Sequence, residues 1–344
     1  MKKILSILFL TFLLLALCSC TKEETTHLKI GYISQSTPEN DSLTSAIWDG
    51  ITKSCDKNGY LCDFICKDNN KSYEVQIKEL YDDGCRIIVS SDYALKDSIK
   101  SAAREYSDCT FVCIGYTLST SSSNIVNVTF SEHELGFMAG IASSLKINKG
   151  NIGAILGMDL PSTSRLLKGL ELGINYSNQH FGTDVHLDDS NAVFMGSYND
   201  PQLAETVATQ LYKSNVKCIL TDGGSTGEGV FNTAKKLRGD FPDIWVLGTE
   251  IDKYHDGVFL DSYSVTLTSI IYLYENVIND ITKSYFSGTL NGSGIKNYGI
   301  ADFAIGFPNS NPNLPPEIYT KCDYVFSLIQ DQKLVIPNNE SLFD

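Results

Sequence analysis

"SEHELGFMAGIASSLKINKGNIGAIL" (Ser131–Leu156) holds a helical stretch that passes, over a few polar residues, into a fresh β-rich run. Upstream lie "LKIGYIS" (28–34), "CRIIVSS" (85–91) and "CTFVCIG" (109–115), and downstream "KCILTDG" (217–223) and "IWVLGT" (244–249), most of them ending in Gly, Ser or Thr. Between them sit amphipathic stretches such as "DSLTSAIWDGITKSC" (41–55), "LKDSIKSAAREY" (95–106) and "QLAETVATQLYKS" (202–214). Near-continuous apolar strands separated by helices of this length imply parallel sheets covered on both faces. Right-handed βαβ connections follow. Because "NIGAIL" starts a second such unit near residue 145, the sequence predicts an α/β protein of two lobes. A helix-like stretch, "TSIIYLYENVINDITKSY" (268–285), comes after a strand at "FLDSYSV" (259–265) and is expected to return the chain to the first lobe. The predicted lobes are residues 28–145 plus about 266–300, and 146–265 plus about 301–344. Ligands of open parallel sheets sit beyond the carboxyl ends of the strands. The loops after each strand are therefore the candidate site.

The amino terminus reads separately. Lys2 and Lys3 precede an apolar run from Ile4 to Cys18, broken by Ser6 and Thr11. A transmembrane helix needs about 20 apolar residues to cross a ~30 Å core. This run is shorter and suits a secretory signal peptide over residues 1–19. "LCSC" (17–20) resembles a bacterial lipobox, with Leu17 at −3, Ser19 at −1 and Cys20 as the lipidated residue, a carrier of palmitate. Cys18 fits poorly, because bulky Leu17 would precede it. An ordinary signal with incidental cysteines is the plainer alternative. Residues 20–27, including "TKEETT", read as a solvated tether between lipid and domain. The chain is thus expected on the outer face of a cell membrane.

Two lysines and no acid leave with residues 1–19, so 25 basic and 41 acidic side chains remain, a net charge of −16. Nucleic acid demands a basic face and is excluded as a partner. Attraction to an anionic membrane surface is excluded likewise. Of the ten cysteines, Cys62 and Cys66, and also Cys109 and Cys113, are spaced to share one face of a strand, as small core residues do. No zinc-ligand spacing is present, and no metal is expected. Disulfide pairing is not assignable from the sequence.

Motifs for catalysis are weak. "DGGSTGEG" (222–229) follows a strand and opens a helix, but its order is neither the dinucleotide nor the phosphate-loop pattern. No GxSxG elbow accompanies the five histidines. "SEHE" (131–134) has the S-x-x-E form of a capping box, which explains His133 without chemistry. Asp82–Asp83 and Asp188–Asp189 read as solvated turn residues. The chain is not expected to be an enzyme. "VLGTEID" (246–252) runs a strand into Glu250 and Asp252, which could accept hydrogen bonds from hydroxyls in a cleft. For Asp252 a helix N-cap is the equal alternative. Tyr198 in "MGSYNDPQ" (195–202) is either a stacking ring or a packed loop aromatic.

Five stretches in register, "FSEHELGFMAGIASSL", "GMDLPSTSRLLKGLELGINY", "MGSYNDPQLAETVA", "DGGSTGEGVFNTAKKL" and "VLGTEIDK", resemble the basic membrane protein family. The resemblance covers Leu28 to Pro337. It implies a lipid-anchored substrate-binding protein of an ABC importer, partnered by a membrane permease and using no cofactor. The characterised members bind purine nucleosides. The implied fold is a pair of Rossmann-like lobes joined by a hinge, like type I periplasmic binding proteins, with the ligand between them. A ligand sensor for a membrane signalling partner and a surface adhesin lipoprotein are the alternative functions.

Carried onto this chain, the resemblance points to Ser34, Gln35, Leu43, Thr44, Ser91, Asp92, Tyr198, Gly224, Glu250, Asp252 and Tyr272 as ligand-binding residues. Several depart from the family pattern. Leu43 and Thr44 stand where the family's first loop has Phe-Asn, and Gly115 stands where an acid is common. Glu250 occupies the position of the ribose-binding aspartate, and Tyr272 that of a lysine. Tyr198 keeps the aromatic of the family's G-S-F-N-D. The expected ligand is a small polar solute, a nucleoside among the candidates, neutral or cationic rather than anionic.

Overall fold

A computed structural model describes residues 27–119, 121–290, 294–310 and 312–338. The expected signal peptide and Cys20 lie outside the described residues. Strands β1 (Lys29–Ser34), β2 (Leu61–Cys66), β3 (Ile87–Ser90), β4 (Thr110–Ile114) and β5 (Ile125–Phe130) alternate with helices α1 (Ser42–Asn58), α2 (Tyr73–Asp82) and α3 (Lys96–Glu105). They form one sheet of order β14-β5-β4-β3-β1-β2, in which every pairing is parallel and β14 is Ile295–Tyr298.

The second sheet takes β6 (Lys149–Leu156), β7 (Asp184–His186), β8 (Ala192–Phe194), β9 (Val216–Thr221), β10 (Trp245–Glu250), β13 (Thr266–Tyr272) and β15 (Ile305–Gly306). Its order is β15-β13-β10-β9-β6-β7, with β8 also paired to β6 and β15 antiparallel at the edge. Helices α4 (Glu132–Ile147), α5 (Pro161–Phe181), α6 (Pro201–Lys213), α7 (Gly224–Leu237) and α9 (Pro316–Gln330) cover it, while α8 (Tyr274–Phe286) packs on α1 in the first lobe. Between β10 and β13, β11 (Val258–Leu260) and β12 (Tyr263–Ser264) make a small hairpin of their own.

Strand alternation builds four cores, two on each sheet. Along β1, Ile30 and Tyr32 enter one cluster with Ile47 and Ile278, while Ile33 enters the opposite cluster with Ile77 and Phe111. Along β9, Leu220 and Ile219 divide in the same way. Burial of both faces is what makes these strands read as continuous apolar runs. Cys109 and Cys113 share one cluster, and all eight cysteines among the described residues are free. No described helix is long and apolar enough to cross a membrane.

Three segments differ from the sequence reading. Helix α4, expected at the end of the first lobe, packs on α5, α9 and β13 of the second. It is buried nearly all round, from Leu135 to Ser144, so it had no polar face to mark which sheet it covers. Residues 268–272, expected as the start of a first-lobe helix, belong to the buried strand β13. The helix begins only at Tyr274, and the strand expected at 259–265 is the β11–β12 hairpin. The Ser131–Glu134 capping box does not form. Ser131 Oγ instead receives Asn297 Nδ2 at 2.7 Å, and Glu134 Oε2 receives the Ile300 amide at 2.6 Å. The two side chains thus bind β14 and the crossing that follows it.

The chain passes between the sheets three times: after Phe130, between Tyr272 and Tyr274, and between Tyr298 and Ile305. The crossings are fastened to one another. The Ser131 amide donates to Tyr298 O at 2.9 Å, Leu273 N to Ala304 O at 2.8 Å, and Asn276 Nδ2 to Phe303 O at 2.7 Å. Three short connections held side by side make the hinge between the lobes.

Candidate functional site

A cavity of about 390 Å³ opens between the carboxyl ends of the two sheets. This lies within the range of about 300–1,000 Å³ usual for small-molecule sites. Leu43, Ser91, Gly115 and Phe130 wall it from the first lobe; Glu132, Thr163, Tyr198, Asp222 and Glu250 wall it from the second. Tyr272 and Tyr274, on a crossing segment, close its floor.

The second-lobe wall is built from strand ends. Asp222 follows β9 and is buried, with Oδ1 accepting the Gly157 amide at 2.9 Å from the loop after β6. Gly157 also seats Tyr198, since a Cβ built there would run into the Tyr198 ring. The Tyr198 carbonyl accepts the Thr226 amide at 3.0 Å, and Thr226 Oγ1 donates to Ser197 O at 2.9 Å. The loop after β8 is therefore pinned to the first turn of α7, and the ring is pre-positioned. At Gly224 a Cβ would press on the Tyr198 backbone, where φ is +63°. Glycine is required there on both counts.

Glu250 ends β10 with φ +70°, an uncommon conformation for a residue with a side chain. Such strain, about 1–3 kcal/mol, persists where the surroundings impose it and clusters at functional sites. Among the described residues no donor meets its carboxylate. Enclosure pushes the Glu250 carboxyl up to about 7, with the neighbouring Asp222 charge adding to the shift and Lys253 opposing it. Burial pushes Asp222 up to about 6 against the hydrogen bonds from Gly157 and Tyr198. It also raises the Tyr198 phenol to about 12, helped by Asp222 and Glu250. Glu132, the third carboxylate, pairs with Arg165 Nε at 2.9 Å.

Of the residues expected at the ligand, the cavity gathers Leu43, Ser91, Tyr198, Gly224, Glu250 and Tyr272. Four others lie outside the lining and bond to one another at the first-lobe strand ends. Ser34 Oγ and Thr44 Oγ1 lie 3.1 Å apart, joining β1 to the first turn of α1, and the Gln35 amide donates to Asp92 Oδ2 at 2.8 Å. Asp252 faces a neighbouring cavity of about 320 Å³, where its Oδ1 accepts the Tyr254 amide at 3.0 Å in a turn. Phe130, Glu132, Thr163 and Tyr274 escaped the sequence reading. Phe130 and Glu132 flank the end of β5, so the strand-end rule applied to that run would have found them. Tyr274 was hidden by the helical reading of β13.

Two parallel α/β sheets, a three-stranded hinge and a cleft walled by both lobes define a binding protein rather than an enzyme, of the type I solute-binding architecture. A solute-binding protein of an ABC transporter from Conexibacter woesei superposes with a TM-score of 0.70 at 15% identity, covering 90% of this chain and 99% of that one. The family model described as "ABC transporter substrate-binding protein PnrA-like" matches residues 27–340, and the chain belongs to that family, the basic membrane proteins. It is similar to the ABC transporter nucleoside-binding protein BmpA of Lactococcus lactis, at 22% identity over 91% of this chain and 90% of that protein. Basic membrane protein A1 of Borrelia garinii is 24% identical over 100% of this chain and 98% of its own length. The protein is a non-enzymic substrate-binding component of an ABC transporter, extracytoplasmic and membrane-associated as the family is.

Proposed function

We propose that the protein is held at the outer membrane face by acylated Cys20 and captures a nucleoside-sized polar solute between its lobes for delivery to an ABC permease. The observation that carries this reading is the cavity whose walls come from both lobes and whose floor is the hinge. A ligand touching both walls favours the closed arrangement by its differential affinity for it. Tyr198, seated on Gly157, offers a ring; Ser91 offers a hydroxyl; Asp222 and Glu250 accept hydrogen bonds. The nucleoside specificity in the name of the Lactococcus relative makes nucleosides the first solutes to test.

Calorimetric titration of the full chain in detergent with adenosine, guanosine, inosine and uridine tests the reading. Saturable binding is expected, and it should weaken in Tyr198→Ala. The anchor is tested by growing cells on labelled fatty acid. Incorporation should vanish in Cys20→Ala, and persistent label would place the acyl chain elsewhere.

A further inference from the structure

Among the described residues that line the cleft, none is Lys, Arg or His, whereas three are carboxylates: Glu132, Asp222 and Glu250. Glu132 is matched by Arg165, and Lys253, whose charge acts on Glu250, pairs with Asp256 at 3.1 Å. Asp222 receives the Gly157 amide, its own amide and the Tyr198 hydroxyl, all of them uncharged donors. Two carboxylates thus share one cleft without a counter-charge in its lining. Their like charges repel, and in a desolvated site that repulsion is strong. Aromatic rings complete the lining: Tyr198 on the second-lobe wall, Phe130 on the first-lobe wall, and Tyr272 and Tyr274 on the floor. Carboxylates with ring faces around them are the recognition chemistry of organic cations.

We propose that the solute this cleft selects carries a positive charge, an ammonium or other protonated nitrogen placed between Asp222 and Glu250. The proposal rests on the reading of the cavity as the ligand site and narrows its ligand class. A cation supplies the missing counter-charge and hydrogen-bond donors at once, whereas a neutral hydroxyl supplies only donors. An anion would add a third negative charge. The raised carboxyls agree, since each would release its proton to solvent when a cation binds.

Several charged or titratable groups face these two carboxylates. Tyr198 stands beside Asp222, while Lys253, Glu132, Tyr272 and Tyr274 surround Glu250. Behind Glu250, the adjoining cavity adds Asp49, Asp252 and Glu275, with Lys53 paired to Asp49. Lys57 likewise pairs with Glu275 at 3.4 Å, so two of these three acids are matched by lysines.

Titration calorimetry on the full chain separates the possibilities, with adenosine, 5′-amino-5′-deoxyadenosine, adenosine monophosphate, choline and putrescine as probes. At least one of the three cations should bind tenfold or more tighter than adenosine at pH 7.5, and the monophosphate should be the weakest nucleoside probe. That cation's affinity should rise at least threefold from pH 5.5 to 7.5, with proton release seen as a heat that depends on the buffer. Its binding should fall at least tenfold in Glu250→Gln. Adenosine binding as tightly as every cation would overturn the charge proposal and leave the cleft reading intact. Silence of all five probes would overturn both.

Discussion

The ring of Phe130 lies flat on the ring of Tyr272, with centroids 3.8 Å apart and planes 11° from parallel. Phe130 ends the last strand before the first crossing, and Tyr272 ends the last strand before the second. Tyr274 stands edge-on to Phe130 at 5.9 Å. The hinge therefore has an aromatic centre, which is also the cleft floor. Removing the ring in Tyr272→Ala forfeits about 0.5–1.5 kcal/mol of stacking. With the buried area included, the total loss should approach about 3 kcal/mol. Tyr272→Phe keeps the stack and should stay within about 1 kcal/mol of wild type. Denaturant unfolding of both variants measures the difference. Equal stability of Tyr272→Ala and wild type would remove the ring pair from the hinge.

Tyr198 and Glu250 should be the most sensitive ligand contacts. Tyr198→Ala and Glu250→Gln are each expected to weaken binding of the true ligand by about 1–3 kcal/mol. Glu250→Asp keeps the charge but shortens its reach, and should also lower affinity. Both side chains line the cavity outside the core clusters, so near pH 5, where Glu250 is largely protonated like its glutamine variant, melting temperatures of Tyr198→Ala and Glu250→Gln should change little. Titration calorimetry beside melting curves makes the comparison. Wild-type affinity in both of the first two variants would place the ligand outside the cleft.

The sequence already carried much of this architecture, because strands buried on both faces leave uninterrupted apolar runs such as "CRIIV" and "KCIL". Tyr198, Gly224 and Glu250 were legible for a second reason, as each directly follows such a run. What failed to show was set by tertiary packing. Helix α4 is buried on every side, so its periodicity pointed to neither sheet. In "TLTSIIY" the polar Thr and Ser residues are all buried, which imitated the mixed face of a helix. Ser131 and Glu134 had the spacing of a local cap, yet partners more than 160 residues away hold them. Asp252 looked equal to Glu250 in sequence, but past the positive φ at Glu250 it reaches only the neighbouring cavity, whereas Glu250 lines both.

The cleft carboxylates should make the empty protein less stable as pH rises. Asp222 and Glu250 have folded values of about 6 and about 7, above their ordinary values of 3.8 and 4.5. In that window the folded state holds protons that the unfolded state has released. Stability is then full below about pH 4 for these groups and falls as pH climbs through 6 and 7. Each carboxylate alone would contribute on the order of 3 kcal/mol, and coupling between them makes the pair less than additive. His133, whose ring is pushed down to about 4 by burial and then by Arg165, acts in the opposite sense. Subtracting the profile of Glu250→Gln from that of wild type cancels the histidine. Unfolding curves from pH 5 to 8 should show a flatter slope in the variant, and parallel slopes would contradict the raised Glu250.

Helices α4 and α5 meet through four glycines: Gly136 and Gly140 on one, Gly169 and Gly173 on the other. A Cβ at Gly136 would strike the Leu166 carbonyl, and one at Gly140 the Leu170 carbonyl. Reciprocally, Gly169 faces the His133 carbonyl and Gly173 the Phe137 carbonyl. In each case the neighbour is backbone, which cannot step aside as a side chain does. Alanine at any of the four should therefore force the helices apart, at about 3 kcal/mol or more. Gly239, with nothing near its missing Cβ, is the control and should change by less than about 1 kcal/mol. The seam also divides by depth. Gly136 and Gly169 lie beside Leu135, Leu166 and the Glu132–Arg165 pair, which form or brace the cleft wall. Gly140 and Gly173 lie one helical turn deeper. Gly169→Ala should thus lose both stability and ligand affinity, whereas Gly173→Ala should lose stability with affinity changed less than threefold. Unfolding and titration on the same preparations test the split, and equal affinity losses in the two variants would show that the seam moves as one body.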